Sequence, residues 1–505
     1  MTVLYKVLRQ GLRVGLDLYF LDIQAVGLDN IPDDGPVIFA SNHPNSIMDV
    51  VVLGTQTRRQ IHYMAKSVLF KNPLVKTIFN NVGVIPVYRA QDSKDEMGKN
   101  EDSFARAYEV LEAGNTIGIF PEGENSPDRQ VREIKTGTAR IALAAEARND
   151  YELGLVIIPV GLNFDDRDRF LSSVLVRFGR PIRVADYAEE HRRDETSAVR
   201  NLTEHLLREI REQAIHIHDD RNHQLVIDIH RVYGSELLQE LIGQVDFDVR
   251  DIRDRFMDRV RATPGPKPDL DDHFQIEQYI ADIVDHYQEH DPGLVARTRM
   301  DVRRYKDHLK QVRLRHDFHE RPPESLSSRR EALRFTIFAL VFSPIAAWGF
   351  IHNAIPYALV RYFGVRAPDE AIRATTTLIA AMLGYPLFYG MYGYGLWWLT
   401  DHSLVSAFLY LLTLPLAGFF FLRYWRQILL YRDRILSRTL FRTQENLIRQ
   451  LNREREQLVE TFEGLKKDYM ATLREKAALR RETSQVLVEA DQQSVMVGEV
   501  QEPPL

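Results

Sequence analysis

The rhythm of apolar and polar positions changes several times along this chain. In residues 1–26, Lys6, Arg9 and Arg13 recur at helical spacing, with Leu4, Val7, Leu8, Leu12, Val14, Leu18 and Leu21 on other faces. This pattern predicts an amphipathic helix that fits either of two placements, a membrane interface or a protein core. Residues 27–185 alternate short β-rich runs with helical stretches. The predicted strands are Val37–Phe39, Val84–Val87, Ile117–Phe120, Leu155–Val160 and Val174–Val176, punctuated by Gly, Asn and Pro. Runs this apolar suit a sheet covered on both faces, hence an α/β domain. Residues 186–330 are charge-rich with helical periodicity, and ATPGPKPD at 262–269 reads as a linker or loop. Then the pattern turns wholly apolar. Residues 335–360, 374–399 and 404–422 contain no Asp, Glu, Lys or Arg, and each is near the ~20 residues a helix needs to cross a hydrocarbon core. Residues 423–490 return to a polar helical pattern. Leu451, Leu458, Leu465 and Leu479 recur at multiples of seven, but Glu454, Thr461, Asp468 and Glu475 hold the intervening seam positions. A coiled coil wants both seams apolar, so a long helix packed on one side is expected. Residues 491–505 read as a disordered tail.

Composition narrows the classes. The chain has 505 residues, with 65 Lys and Arg against 71 Asp and Glu, a net charge of -6. That balance argues against a nucleic-acid partner. It has no cysteine, which excludes a disulfide scaffold, a Cys nucleophile and thiolate zinc sites. The mean hydropathy of -0.28 conceals the three apolar stretches, so a membrane protein with large water-facing parts is expected. No secretory signal is visible in residues 1–26, and no ligand cluster for a metal stands near the candidate site.

The candidate chemistry lies at predicted strand ends, where the loops of α/β domains gather active-site groups. The first strand runs into Ser41-Asn42-His43-Pro44-Asn45-Ser46-Ile47-Met48-Asp49. The second continues through Val87 and Tyr88 to Arg89. The third ends in Phe120-Pro121-Glu122-Gly123, and the fourth contains Val156-Ile157-Ile158-Pro159-Val160. Each feature alone is ordinary. On a regular helix His43 and Asp49 would lie ~240° apart, so they meet only if the chain between them is irregular, which Pro44 permits.

In this order and at these intervals, the four segments resemble the glycerol-phosphate acyltransferase family, over about the first 190 residues. The family carries a His–Asp block, a Gly-to-Arg block, a Phe-Pro-Glu-Gly block and a Val-x-Pro-Val block in one domain. The resemblance implies an α/β acyltransferase domain, followed here by a helical region, C-terminal transmembrane helices and a long polar C-terminal helix. It implies His43 and Asp49 as the catalytic pair, Arg89 on the acceptor phosphate, Glu122 and Gly123 in acceptor binding, and Pro159 in shape or donor contact. Lys135 is a second candidate cation and Arg132 a weaker third. The usual spacing is His-x4-Asp, whereas this chain has His43-x5-Asp49. That spacing resembles the yeast-type branch that acylates glycerol 3-phosphate and dihydroxyacetone phosphate. The third block departs from that branch in continuing as Glu124-Asn125-Ser126-Pro127-Asp128.

The residues themselves agree with such chemistry. An alcohol attacking a thioester needs a base, and a neutral imidazole serves at pH 7. A carboxylate fixes its tautomer and stabilises the imidazolium, with no enzyme nucleophile required because the substrate supplies the hydroxyl. Backbone N–H groups around Gly123 are candidate oxyanion donors. The expected donor is acyl-CoA or acyl-carrier protein, used as substrate with no further cofactor. The acceptor is glycerol 3-phosphate, or alternatively 1-acylglycerol 3-phosphate (lysophosphatidate). A membrane-anchored scaffold with a degenerate domain is the competing class. Arg residues flank every apolar stretch except at Thr400-Asp401-His402-Ser403. The positive-inside tendency then predicts two spans, 374–399 and 404–422, with 335–360 bent and non-spanning. It also places the catalytic domain and the C-terminal helix on the cytoplasmic side of an integral membrane protein.

Overall fold

The computed structural model describes residues 3–88, 100–125, 129–167, 169–242, 270–311, 328–367, 372–443 and 445–498. They form two compact units. One holds the described parts of 1–220, 252–275 and 323–435, the other those of 221–251, 276–322 and 436–505.

The first unit opens with α1 (Val3–Tyr19), β1 (Asp22–Val26), β2 (Val37–Ser41), α2 (Ile47–Gln56), β3 (Ile61–Lys66), α3 (Pro73–Val82) and β4 (Ile85–Val87). It continues through α4 (Asn100–Glu112), β5 (Thr116–Ile119), α5 (Gly137–Ala147), β6 (Val156–Phe164), β7 (Ser173–Phe178), β8 (Ile182–Arg183), α6 (Ala188–Arg193) and α7 (Glu195–Gln213). The strands form one sheet of order β1-β7-β6-β2-β5-β3-β4, with β8 also on β6. It is parallel except where β6 meets β7 and β8. The five expected strands are β2, β4, β5, β6 and β7. Sequence reading missed β1, whose DIQAV is half-buried throughout, β3, and the two-residue β8.

Alternation along the strands makes two cores. Ile38, Ala40, Ile117 and Ile157 face one side, under Leu111 of α4, Leu143 of α5 and Leu202, Leu206 and Ile210 of α7. Val37, Phe39, Ile158 and Val160 face the other, under Leu16 and Phe20 near the end of α1 and Met48, Val52 and Leu53 of α2. Because α7 covers the sheet, the α/β domain extends beyond the expected boundary at 185. Of the two placements left open by its pattern, helix α1 shows core packing at its C-terminal end. Leu16 and Tyr19 are buried, whereas Val7, Leu8, Val14 and Leu18 are exposed. Its basic residues are not a free stripe, since the Arg9 guanidinium donates to the Thr55 and Thr57 carbonyls at the end of α2.

The second unit contains α8 (His223–Ile242), most of α9 (Leu270–His290), α10 (Pro292–Gln311) and α14 (Glu445–Gly498). Helix α14 continues past the expected limit at 490. Leu451, Leu458 and Phe462 on one side of it are buried, in line with packing of a single face. The Lys306 ammonium bonds both Asp228 carboxylate oxygens at 2.7 and 2.8 Å.

The first unit also holds α11 (Ser328–Val365), α12 (Arg373–Leu399) and all but the end of α13 (Leu404–Thr443). By length and composition, Phe335–Val365 and Leu404–Leu429 are able to cross a membrane. Helix α12 is long enough too, but four tyrosines and four glycines lower its hydropathy. The first apolar stretch is one helix with Pro344 and Pro356 inside it, without the break in secondary structure that the sequence led us to expect. The start of α12 enters the α/β core, where Ala374 and Leu378 are buried with Leu16 and Phe39. Leu378→Ala is therefore expected to destabilise the α/β domain by about 2–5 kcal/mol, the range for emptying a core site. Hydrogen exchange of the β2 and β6 amides in detergent checks this. Unchanged exchange would show that α12 is no part of that core.

Candidate active site

The site forms at the C-terminal end of β2, the central strand between β5 and β6. Past Ser41 the chain leaves the ladder, and the Asn42 side chain takes over the pairing. Its amide donates to the Leu162 carbonyl at 3.1 Å, and its oxygen accepts the Leu162 N–H at 2.7 Å. Residues 43–46 are irregular, with Ser46 at φ 50°, a backbone region costly for a residue with a side chain. Helix α2 begins at Ile47, so Asp49 sits in its first turn while His43 stands outside the helix. The six-residue interval thereby closes into contact: His43 Nδ1 lies 2.8 Å from Asp49 Oδ2. The Asn45 N–H donates to the same oxygen at 2.7 Å.

Asp49 is fully buried. Desolvation pushes its pKa up, opposed by the His43 hydrogen bond and charge, the Asn45 N–H and the Arg167 charge. With Asp49 ionised, Nδ1 carries the imidazole proton and Nε2 offers its lone pair. The ring lies flat on Phe120, centroids 4.1 Å apart, and Phe120 is stacked in turn on Tyr63. This leaves the His43 side chain 16% exposed, open at one edge.

The third segment forms a turn closed by the Gly123 N–H on the Phe120 carbonyl at 3.0 Å. That bond engages the Gly123 N–H itself, one of the backbone groups around Gly123 expected as oxyanion donors. Gly123 has φ 76°, and a Cβ there would stand 2.7 Å from Lys135 Nζ. The Lys135 side chain thus folds across the turn, where only glycine leaves room. Glu122 points inward and accepts the His43 N–H at 3.0 Å and the Arg132 N–H at 3.3 Å. Its carboxylate braces the His43 loop against the third segment. Burial pushes the Glu122 pKa up, and the two backbone N–H bonds pull it back.

Pro159 is buried in β6 opposite Ala40, at the point where β6 changes partner. Ile157 pairs with Ile182 of β8 and Val160 with Phe178 of β7. A strand residue without an N–H fits that gap. The structure therefore unites His43, Asp49, Glu122, Gly123 and Lys135; Arg89 lies outside the described residues. Sequence reading passed over Asn42, Asn45, Phe120 and Arg167. Arg167 follows β6 and clamps the loop from behind. Its guanidinium donates to the Pro44 carbonyl at 3.2 Å, and its own carbonyl accepts from the Asn45 side chain at 2.8 Å. Only the asparagines flanking His43 hinted at this scaffolding.

Residues 22–163, from β1 through β6, match the family model described as Acyltransferase. This segment resembles acyltransferase domains, in line with the glycerol-phosphate acyltransferases among its relatives. A chloroplastic 1-acyl-sn-glycerol-3-phosphate acyltransferase of Arabidopsis thaliana is 27% identical over 28% of this chain and 36% of its own. Glycerol-3-phosphate O-acyltransferase 1 of Saccharomyces cerevisiae is 27% identical over 27% of this chain and 18% of its own. A 1-acyl-sn-glycerol-3-phosphate acyltransferase of Bacillus subtilis is 25% identical over 41% of this chain and 96% of its own. The chain thus spans about a third of the plant relative and under a fifth of the yeast one. What they share with it is the acyltransferase domain.

The Glu122 brace has a testable pH signature. A carboxyl whose pKa is raised on folding favours the folded state most below its unfolded value, ordinarily 4.5. That contribution is lost as pH rises through the folded value. Thermal unfolding in detergent should show Glu122→Gln losing less stability than wild type as pH rises from about 4 to 6. Equal slopes would contradict the buried, ionising brace.

Proposed function

We propose that this protein is a membrane-bound O-acyltransferase that moves a fatty acyl group from a thioester, acyl-CoA or acyl-carrier protein, to glycerol 3-phosphate in phospholipid synthesis. The observation that carries this reading is the His43–Asp49 pair, at 2.8 Å with Nε2 left open. His43 Nε2 takes the acceptor's hydroxyl proton as its oxygen attacks the thioester carbonyl. The C–O bond forms, the tetrahedral intermediate collapses with loss of the C–S bond, and the imidazolium returns its proton to the departing thiolate. Asp49 stabilises the imidazolium throughout. Arg89 and Lys135 hold the phosphate, Arg89 as a planar fork. The described residues contain no His, Asp and Glu grouping able to hold a metal.

The longer His-x5-Asp spacing and the yeast relative favour glycerol 3-phosphate. The plant and Bacillus relatives, named for 1-acyl-sn-glycerol 3-phosphate, support that acceptor as the second reading. Thin-layer separation of the products formed by purified membranes with each acceptor tests both. Acylation of neither would overturn the function. His43→Ala should lower kcat about 10²–10⁴-fold with either acceptor while the protein stays folded and membrane-bound. Lys135→Ala and Arg89→Ala should instead raise the acceptor KM, because a phosphate contact is made in ground and transition states alike.

A further inference from the structure

A row of three aromatic rings ends on the imidazole of the His43–Asp49 pair, and a glycine makes the room for it. Gly118 of β5 pairs across the ladder with Tyr63 of β3. A Cβ at Gly118 would stand 2.6 Å from the Tyr63 ring. The ring therefore lies over the glycine, in space that any side chain would fill. Gly54 of α2 leaves further room, since a Cβ there would stand 3.2 Å from the Tyr63 hydroxyl. Pressed into this space, Tyr63 is 8% exposed. Phe120, two residues past Gly118, packs on the same side of the sheet as Tyr63. Its ring is parallel to that of Tyr63 within 5°, and the His43 ring lies on it within 16° at 4.1 Å.

Helix α2 closes this row at both ends. The Tyr63 hydroxyl donates to the Val50 carbonyl at 2.9 Å, and His43 bonds the preceding residue of the same helix, Asp49. A circuit of contacts thus runs through Asp49, His43, Phe120, Tyr63 and Val50. Within it the imidazole is held along two directions, by Asp49 at its edge and by Phe120 on one face. The bond to Asp49 alone would let the ring swivel about the Nδ1 contact. The stack fixes the ring plane and with it the direction of Nε2.

We propose that Phe120, backed by Tyr63, is the positioning residue of the base and the platform for its charged form. The inference rests on His43 acting as the base, as in the function proposed above. When Nε2 takes the acceptor's hydroxyl proton, positive charge spreads over the imidazolium ring. The face of an aromatic ring is negative, and a cation within ~6 Å of its centroid is attracted to it, most strongly away from water. With the His43 side chain 16% exposed, water screens little of that attraction. The nearby carboxylates act elsewhere, Asp49 on the ring edge and Glu122 on the His43 backbone N–H. The charge exists in the transition state and not in the resting base. The stack therefore lowers the barrier without tightening acceptor binding.

The test uses the full chain in purified membranes, assayed with glycerol 3-phosphate and with 1-acylglycerol 3-phosphate. Phe120 is replaced, by nonsense suppression, with mono-, di- and trifluorinated phenylalanine. These keep the shape of the ring and progressively weaken its negative face, so a residue that only fills space would show no trend. We expect kcat to fall stepwise with fluorine number, by about 2- to 30-fold in all, with acceptor KM unchanged. Phe120→Leu should lose at least as much, and Phe120→Tyr should recover most of that loss. Constant kcat across the fluorinated series, or a raised KM at constant kcat, would overturn the platform. His43→Ala, measured alongside, separates the two readings. Full turnover in that variant removes the base and the platform together. An inactive His43→Ala beside a fluorinated series with undiminished kcat removes the platform alone and leaves the proposed reaction standing.

Discussion

The buried carboxylate of Asp49 is the constraint on which the site depends. A charge without water must find hydrogen bonds, and Asp49 finds them in the His43 ring and the Asn45 N–H. Both partners come from the chain just before α2, which can double back only by leaving regular structure. The turn at 43–46 therefore exists at a cost, visible in the positive φ of Ser46. Neighbours then hold it down: Asn42 on Leu162, Arg167 on Pro44, Glu122 on the His43 N–H. Removing any one loosens a geometry that the others cannot fully replace.

The same logic applies to the conspicuous glutamate. A buried carboxylate needs donors of its own. Turned inward, with both oxygens on backbone N–H groups, Glu122 serves as a rivet between the third segment and the first. Lys135, folded over Gly123, keeps its positive charge on the outer side of that rivet. The arrangement separates a buried anion from an exposed cation across one tight turn.

Most of the α/β domain was legible in the sequence because its central strands are continuous apolar runs, as in β2 and β6. The edge strand β1 escaped because half-burial leaves it a mixed composition, and β8 because two residues carry no periodicity. His43 and Asp49 were legible as types in a pattern, but their contact was not: helical geometry alone separates them, and the closure depends on Ser46 and Asn45. The brace role of Glu122 and the clamp by Arg167 are long-range contacts, across 79 residues from His43 and 123 from Pro44, which no local pattern encodes. The apolar helices showed the converse. Hydropathy located them, whereas their packing against one another rests on side-chain pairs such as Asn353 with Tyr389.

The entry of α12 into the α/β core has a consequence for how the chain is made. Ala374 and Leu378 complete a cluster whose other members lie before residue 179. A nascent domain containing the sheet and α2 emerges with that face still uncovered, and roughly 200 residues must follow before its cover is synthesised. Domains that emerge with exposed apolar surface are prone to aggregate while they wait. The finished core thus depends on a helix from the apolar C-terminal region, made long after the sheet it covers. The order of synthesis makes α12 the last piece of the domain's interior.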